Sequence, residues 1–338
     1  MTAKISDIPV LLIIAAAFVV IVAGMKAAAA ILIPFLLAVF IATLCSPLLY
    51  WLQRRGLPNG LAVLIIVLGL LVASILLLIF MGRSLTSLAQ QLPAQQERLA
   101  GLITGVVDRL NSHGLEIDRS NVLLTDYFSP RFFMGLVTYG LSILRVLITN
   151  LFLILLFVLF ILLEASSLPR KLQAAFDDPE TMNQFKTITG NVNRYMGLKT
   201  LISLATGLLI WLLLTLIGVQ FAGTWAILAF FLNFIPSIGS IIAAVPAIVW
   251  ALVQLGFSSA LLTLLAYLVV NIVIGNFLDP RLIGRKVGLS TLVVFISMFF
   301  WGWVLGPVGM LLSVPLTMIA KIALASSDDT RWLAVLLE

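Results

Sequence analysis

The residues in this sequence that could do chemistry sit where a membrane helix would normally be featureless. Asn233, Pro236, Gly239 and Pro246 fall inside an apolar block running from Trp225 to Leu255. A proline in a helix interior removes a backbone donor and clashes with the preceding turn, at a cost of about 3 kcal/mol. Broken helix at bilayer depth persists only where the freed polar groups face protein or a water-filled cavity. The stretch from Asn233 to Pro246 therefore reads as a re-entrant or discontinuous segment. Amides, hydroxyls and freed backbone groups at such a place can hold a small polar ligand.

A second stretch has the same character. Gly306, Pro307, Gly309 and Pro315 interrupt the apolar block Leu292–Leu324. In both stretches proline comes first, then glycine, two branched aliphatics and Val–Pro, if two one-residue gaps are allowed. Paired Gly/Pro-interrupted segments are the sequence pointer to a transporter's binding site. Between them lie Asn271, Asn276 and the charged set Asp279, Arg281 and Arg285. Each group also has a plainer reading. The prolines and glycines can simply kink packed helices, and the asparagines can tie helix to helix. Asp279 with Arg281 and Arg285 is either a gate or an interfacial charge network. Trp301 and Trp303 read as belt aromatics or as part of a packed break, and Lys199 as a side chain snorkelling to the interface.

Enzymatic chemistry has nothing to start from. The chain has one histidine, His113, and one cysteine, Cys45, with no paired carboxylates in its apolar regions. No metal site, no cofactor and no catalytic residue is expected. Sodium/proton antiport usually calls for an ionisable carboxylate within the membrane, and Glu164 and Asp279 lie only at span ends. That favours a polar, uncharged cargo, while leaving Na⁺ binding by backbone carbonyls open.

The elements that must position these residues are membrane helices. Of the 338 residues 62% are hydrophobic and 10% charged, and mean hydropathy is +1.19. These values define an all-α polytopic membrane protein. The net charge of +6 comes from bases at the ends of apolar runs, where they set orientation, and it does not indicate nucleic acid. The reading gives about eight hydrophobic segments in three regions. Residues 1–82 form an N-terminal bundle, with spans at Ile8–Gly24, Ala27–Leu52 and Leu61–Met81 and a tight connection at Met25–Lys26. Residues 83–131 form an extramembrane amphipathic region. Residues 132–338 form the transport region, with a cytoplasmic loop at 165–199.

Leu85, Leu92, Leu99 and Val106 recur every seven positions in the amphipathic region, which gives an apolar stripe for its own protein or for a neighbouring subunit. Pro93 predicts a kink or a pair of helices there. The loops 220–224 and 254–259 carry no charge, whereas 279–286 is basic. A chain that turns back at the Asn233–Gly239 break puts both uncharged loops on one side and the basic loop on the other, as the charge rule prefers. Both termini then fall in the cytoplasm.

Taken as an ordered set, the motifs resemble the autoinducer-2 exporter family of bacterial inner-membrane proteins. They are Pro34–Phe35, Leu198–Lys199–Thr200, Asn233–Phe234–Ile235–Pro236–Ser237–Ile238–Gly239, Gly275–Asn276 with Asp279–Pro280–Arg281, Gly288–Leu289–Ser290–Thr291, and Trp301–Gly302–Trp303 leading to Pro315–Leu316–Thr317. Many relatives have proline after the Gly–Leu pair; Ser290–Thr291 here resembles the subgroup named for exporting the quorum-sensing signal. The resemblance implies a multi-pass permease and homo-oligomer, with a pentamer as one arrangement. Its implied substrate is autoinducer-2, a small polyhydroxylated signal. Other members resemble sodium(lithium)/proton antiporters, and a non-transporting membrane scaffold is the third reading.

Overall fold

The computed structural model describes residues 7–112, 130–165, 167, 171, 179–236, 238–278, 288–325 and 330–337. Apart from short turns these residues are helical, and none of them forms a strand. The helices are α1 (Asp7–Ala27), α2 (Ala29–Arg54), α3 (Asn59–Ser112), α4 (Pro130–Ala165), α5 (Pro179–Ile217), α6 (Ala222–Leu232), α7 (Gly239–Leu255), α8 (Phe257–Asn271), α9 (Thr291–Leu311), α10 (Ser313–Ala325) and α11 (Arg331–Leu336). A π-helical stretch, Ile272–Leu278, extends α8.

Six of these helices contain stretches long and apolar enough to cross a membrane: Ala29–Arg54, Asn59–Gln91, Val137–Ala165, Gly190–Ile217, Phe257–Gly275 and Thr291–Leu311. Shorter apolar helices lie at Ala15–Ala27, Ala222–Leu232, Gly239–Leu255 and Ser313–Ala325. Large side chains such as Phe152, Leu216 and Val269 are exposed along the spans. A helix apolar on every face meets lipid on the side that it does not pack. The chain is an all-α polytopic membrane protein.

Several boundaries differ from the sequence expectation. The third span and the amphipathic region as far as Ser112 are one helix, α3, of 54 residues, about 81 Å long at the α-helical rise. It runs through Pro93 without a break, so the expected pair of helices is not present. Proline removes one backbone hydrogen bond, and the flanking alanine, glutamine and leucine, all strong helix formers, keep the rest. Residues 179–199 of the expected cytoplasmic loop are helical and form the start of α5. The connection expected at Met25–Lys26 is a single residue further on, Ala28, across which helical bonds continue from Ala28 to Gly24 and from Leu32 to Ala28.

The chain divides into two compact units. One comprises Met1–Ile66, Leu153–Leu198 and Arg285–Glu338, the other Val67–Phe152 and Lys199–Gly284. In the first, Val22, Val304 and Leu305 make a small core against Met25, Leu32, Phe300 and Leu316. Phe35 meets Phe157 edge-on at 5.6 Å between ring centroids. In the second, a larger core gathers Ile202, Ile210 and Leu214 of α5, Trp225 of α6, Trp250 of α7, and Tyr267 and Val270 of α8. There α6 packs along α7 and α7 along α8.

Candidate functional site

The first interrupted stretch lies in the second unit. Helix α6 ends at Leu232, residues 233–236 and 238 are not helical, and α7 starts at Gly239. Along a straight helix seven residues span roughly 11 Å. Here a Cβ built on Gly239 would lie 1.7 Å from the carbonyl oxygen of Leu232 and 3.1 Å from Ile235 Cβ. The chain has folded back so tightly that only a residue without a side chain fits.

Backbone and side-chain hydrogen bonds show what this turn-back brings together. Gln254, at the end of α7, accepts from the backbone N–H of Gln220 at 2.8 Å and donates to the carbonyl of Gly218 at 3.2 Å. Both uncharged loops thus meet at one end of the unit, the arrangement that the charge distribution favours. At that end Trp225 Nε1 donates to the carbonyl of Gln220 at 3.0 Å. The buried hydroxyls of Ser84 on α3 and Thr224 on α6 pair with each other.

At the break, Asn233 Nδ2 donates to Ser203 Oγ at 3.0 Å. Asn233 is half-buried and Ser203 wholly buried. Among the described residues this is the only bond that the Asn233 amide makes. Its carbonyl oxygen accepts no hydrogen bond from a described residue. Ser203 belongs to a buried polar face of α5 with Lys199 one turn before and Thr206 one turn after, 6% exposed each. Helix α5 can come this close because of Gly207, whose Cβ would lie 3.1 Å from the carbonyl oxygen of Ala226 and 3.2 Å from Phe230 Cβ.

Lys199 corrects the sequence reading. A snorkelling side chain would put its ammonium in solvent, yet the residue is buried inside the candidate span Gly190–Ile217. The only hint in the sequence is that nine residues of the span precede it. Of a second polar face the sequence pointed only to Asn271. Thr263, Tyr267 and Asn271 recur at every fourth position of α8. The hydroxyls of Thr263 and Tyr267 are buried and have no hydrogen-bond partner among the described residues. Each such group costs about 1–3 kcal/mol unless something bonds to it. Asn271 then ends α8 where the π-helical stretch begins, a distortion common at functional sites. Its Oδ1 lies near Gly275, 3.7 Å from where a Cβ would stand. Asn276 is in the π-helical stretch. Pro246 is buried inside α7, and Pro236 is half-buried at the turn. Asp279, Arg281 and Arg285 lie outside the described residues.

The second interrupted stretch lies in the first unit and repeats the construction. Gly306 leaves the helical region with φ 67° and ψ −153° inside α9, a conformation that favours glycine. Pro307 follows at once, in the first turn after the break. A Cβ on Gly309 would lie 2.0 Å from the carbonyl oxygen of Trp301 and 2.8 Å from Leu305 Cβ. Gly239 and Gly309 therefore press against the same two kinds of neighbour, a carbonyl seven or eight residues back and a Cβ four residues back. Trp301 Nε1 donates to Thr317 Oγ1 at 3.0 Å, joining α9 to α10 across the break. Trp303 is 62% exposed, with Lys26 Nζ 4.1 Å from its ring centroid. One tryptophan is thus part of the packed break and the other faces outward. Pro315 is buried in the first turn of α10. Ser290 opens α9 as its N-cap, accepting from the Val293 N–H at 3.3 Å.

Apolar spans, glycine-dependent breaks and buried polar faces on the spanning helices define a polytopic membrane protein of the transport class. Residues 11–328 match the AI-2E family transporter family, and the chain belongs to that family. It is 44% identical over 315 residues to the AI-2 transport protein TqsA of Escherichia coli (strain K12), covering 93% of this chain and 91% of that protein. It is 37% identical over 327 residues to a putative transport protein of Haemophilus influenzae, covering 95% and 94%. To the putative transport protein YrrI of Bacillus subtilis it is 24% identical over 307 residues, covering 86% and 85%. It is a bacterial membrane protein, and its relatives are named for transport.

Proposed function

We propose that the protein exports a small polar signalling molecule, autoinducer-2 in the first instance, by alternating access across the bacterial inner membrane. The Asn233–Ser203 bond at the break carries this reading. It fixes an amide carbonyl at a point where the helix is open, beside the polar face of α5. A polyhydroxylated cargo offers hydroxyl donors to that carbonyl. The name printed for the TqsA relative, an AI-2 transport protein, supports the choice of cargo. The break at Gly306–Pro307, with Gly309 and Pro315, is proposed to line the path in its own unit. Asp279, Arg281 and Arg285 are proposed as a gate, residues 83–131 as extramembrane, the assembly as a homo-oligomer and both termini as cytoplasmic.

Exchange of Na⁺ or Li⁺ for protons is the second reading, and buried Lys199 is the observation that favours it. An ionisable side chain inside a span is seldom there without function. Against it, the six candidate spans contain one carboxylate, Glu164, in the last turn of α4. That carboxylate is exposed and paired with Lys171 at 2.6 Å.

Membrane vesicles carrying the native protein, Asn233→Ala or Gly239→Leu test the site. Accumulation of autoinducer-2 should fall in both variants at equal membrane abundance. Normal accumulation in both would remove the break from the path.

A further inference from the structure

The first unit has a furrow away from the interrupted helices. It is formed by α1 and α9 and has a volume of about 600 Å³. Phe18, Val19, Val22 and Ala23 line one wall and Phe300 the other, with Lys26 and Trp303 at one end. From Phe18 to Lys26 the lining keeps helical spacing over about 12 Å of α1. Phe18 and Phe300 stack at 6.1 Å between centroids.

We propose that this furrow binds an anionic phospholipid, one acyl chain lying along the apolar wall and the headgroup phosphate on Lys26. The furrow opens on the outside of a membrane-spanning unit, where Phe18, Val19 and Trp303 are exposed, so its solvent is lipid. Lys26 is exposed, and among the described residues it faces only the Trp303 ring. An ammonium has three donors. Over an indole face it keeps them for a phosphate, and lysine with tryptophan at the end of an apolar surface suits the headgroup level. A second copy of this chain is the other occupant to weigh. The only carboxylate in the candidate spans, Glu164, is already paired with Lys171, so a neighbouring span offers Lys26 no anion. A phospholipid does.

The test is lipid retention by the full-length protein in detergent, read by native mass spectrometry. Phosphatidylglycerol and phosphatidylcholine with the same acyl chains are titrated separately. One basic side chain near a lipid surface predicts about fivefold stronger retention of the anionic lipid. Lys26→Gln should abolish that preference and Lys26→Arg should keep it. Ala23→Phe, which fills the furrow, should reduce retention of both lipids. Equal retention of the two lipids by the native protein would overturn the proposal, as would a preference that survives Lys26→Gln. A change of subunit count in Lys26→Gln with unchanged lipid retention would give the furrow to a second copy instead.

Discussion

Asn233 and Ser203 share one hydrogen bond, so their removal should not be additive. Breaking it leaves a buried hydroxyl or a constrained amide without its partner, worth about 1–3 kcal/mol. Asn233→Ala and Ser203→Ala should each lower transport, and the double variant should be little worse than the poorer single one. Flux from vesicles at matched protein levels measures this; fully additive losses would mean that the two act separately. Lys199 is a different case, because removing one buried charged group leaves the groups around it without their partner, which destabilises the fold. Lys199→Met should therefore lower the thermal midpoint in detergent and lose flux even at matched amounts of folded protein, whereas Lys199→Arg should keep part of both. Unchanged flux in Lys199→Met would make the residue purely structural. The buried hydroxyls of Thr263 and Tyr267 were not legible in the sequence. Threonine and tyrosine in an apolar run read as ordinary helix residues until burial removes their solvent.

At the scale of elements, the two breaks rest on glycines that touch backbone. Gly239→Ala and Gly309→Ala each drive a Cβ into a carbonyl, and the expected loss is at least the ~1–3 kcal/mol of overpacking. Gly69, inside α3 with nothing within 4 Å of its Cβ position, is the control. Gly69→Ala should be neutral or stabilise the helix by up to about 1 kcal/mol. Thermal unfolding in detergent distinguishes the three, and equal midpoints would contradict the described turn-backs. Both breaks were legible, because proline and glycine clustered at bilayer depth interrupt the helix ladder where no water can repair it. That the 220–224 and 254–259 loops lie at the same end was legible from the break and the charge distribution together; their hydrogen bonding through Gln254 was not. The run of α3 through Pro93 was not. One missing hydrogen bond in a helix of 54 residues is a local cost, and sequence does not show how well its neighbours absorb it. Nor does it show the π-helical stretch at Ile272–Leu278, whose residues carry no local signal for that winding.

For the whole molecule, composition was enough for the class, since no soluble core could bury so much apolar surface. What composition could not supply was the cargo. A backbone break and an amide recognise hydroxyl-rich molecules in general, and the choice among them rests on the relatives. The two compact units interleave along the chain, so reading it in consecutive blocks could not reveal them. The most direct measurement is reconstitution of the purified protein in liposomes, with autoinducer-2 efflux and internal pH followed in parallel. Export as proposed predicts efflux that falls with Asn233→Ala, and no pH change on adding Na⁺ or Li⁺ without cargo. A Na⁺- or Li⁺-driven pH change with no efflux, or no flux of either kind, would contradict it.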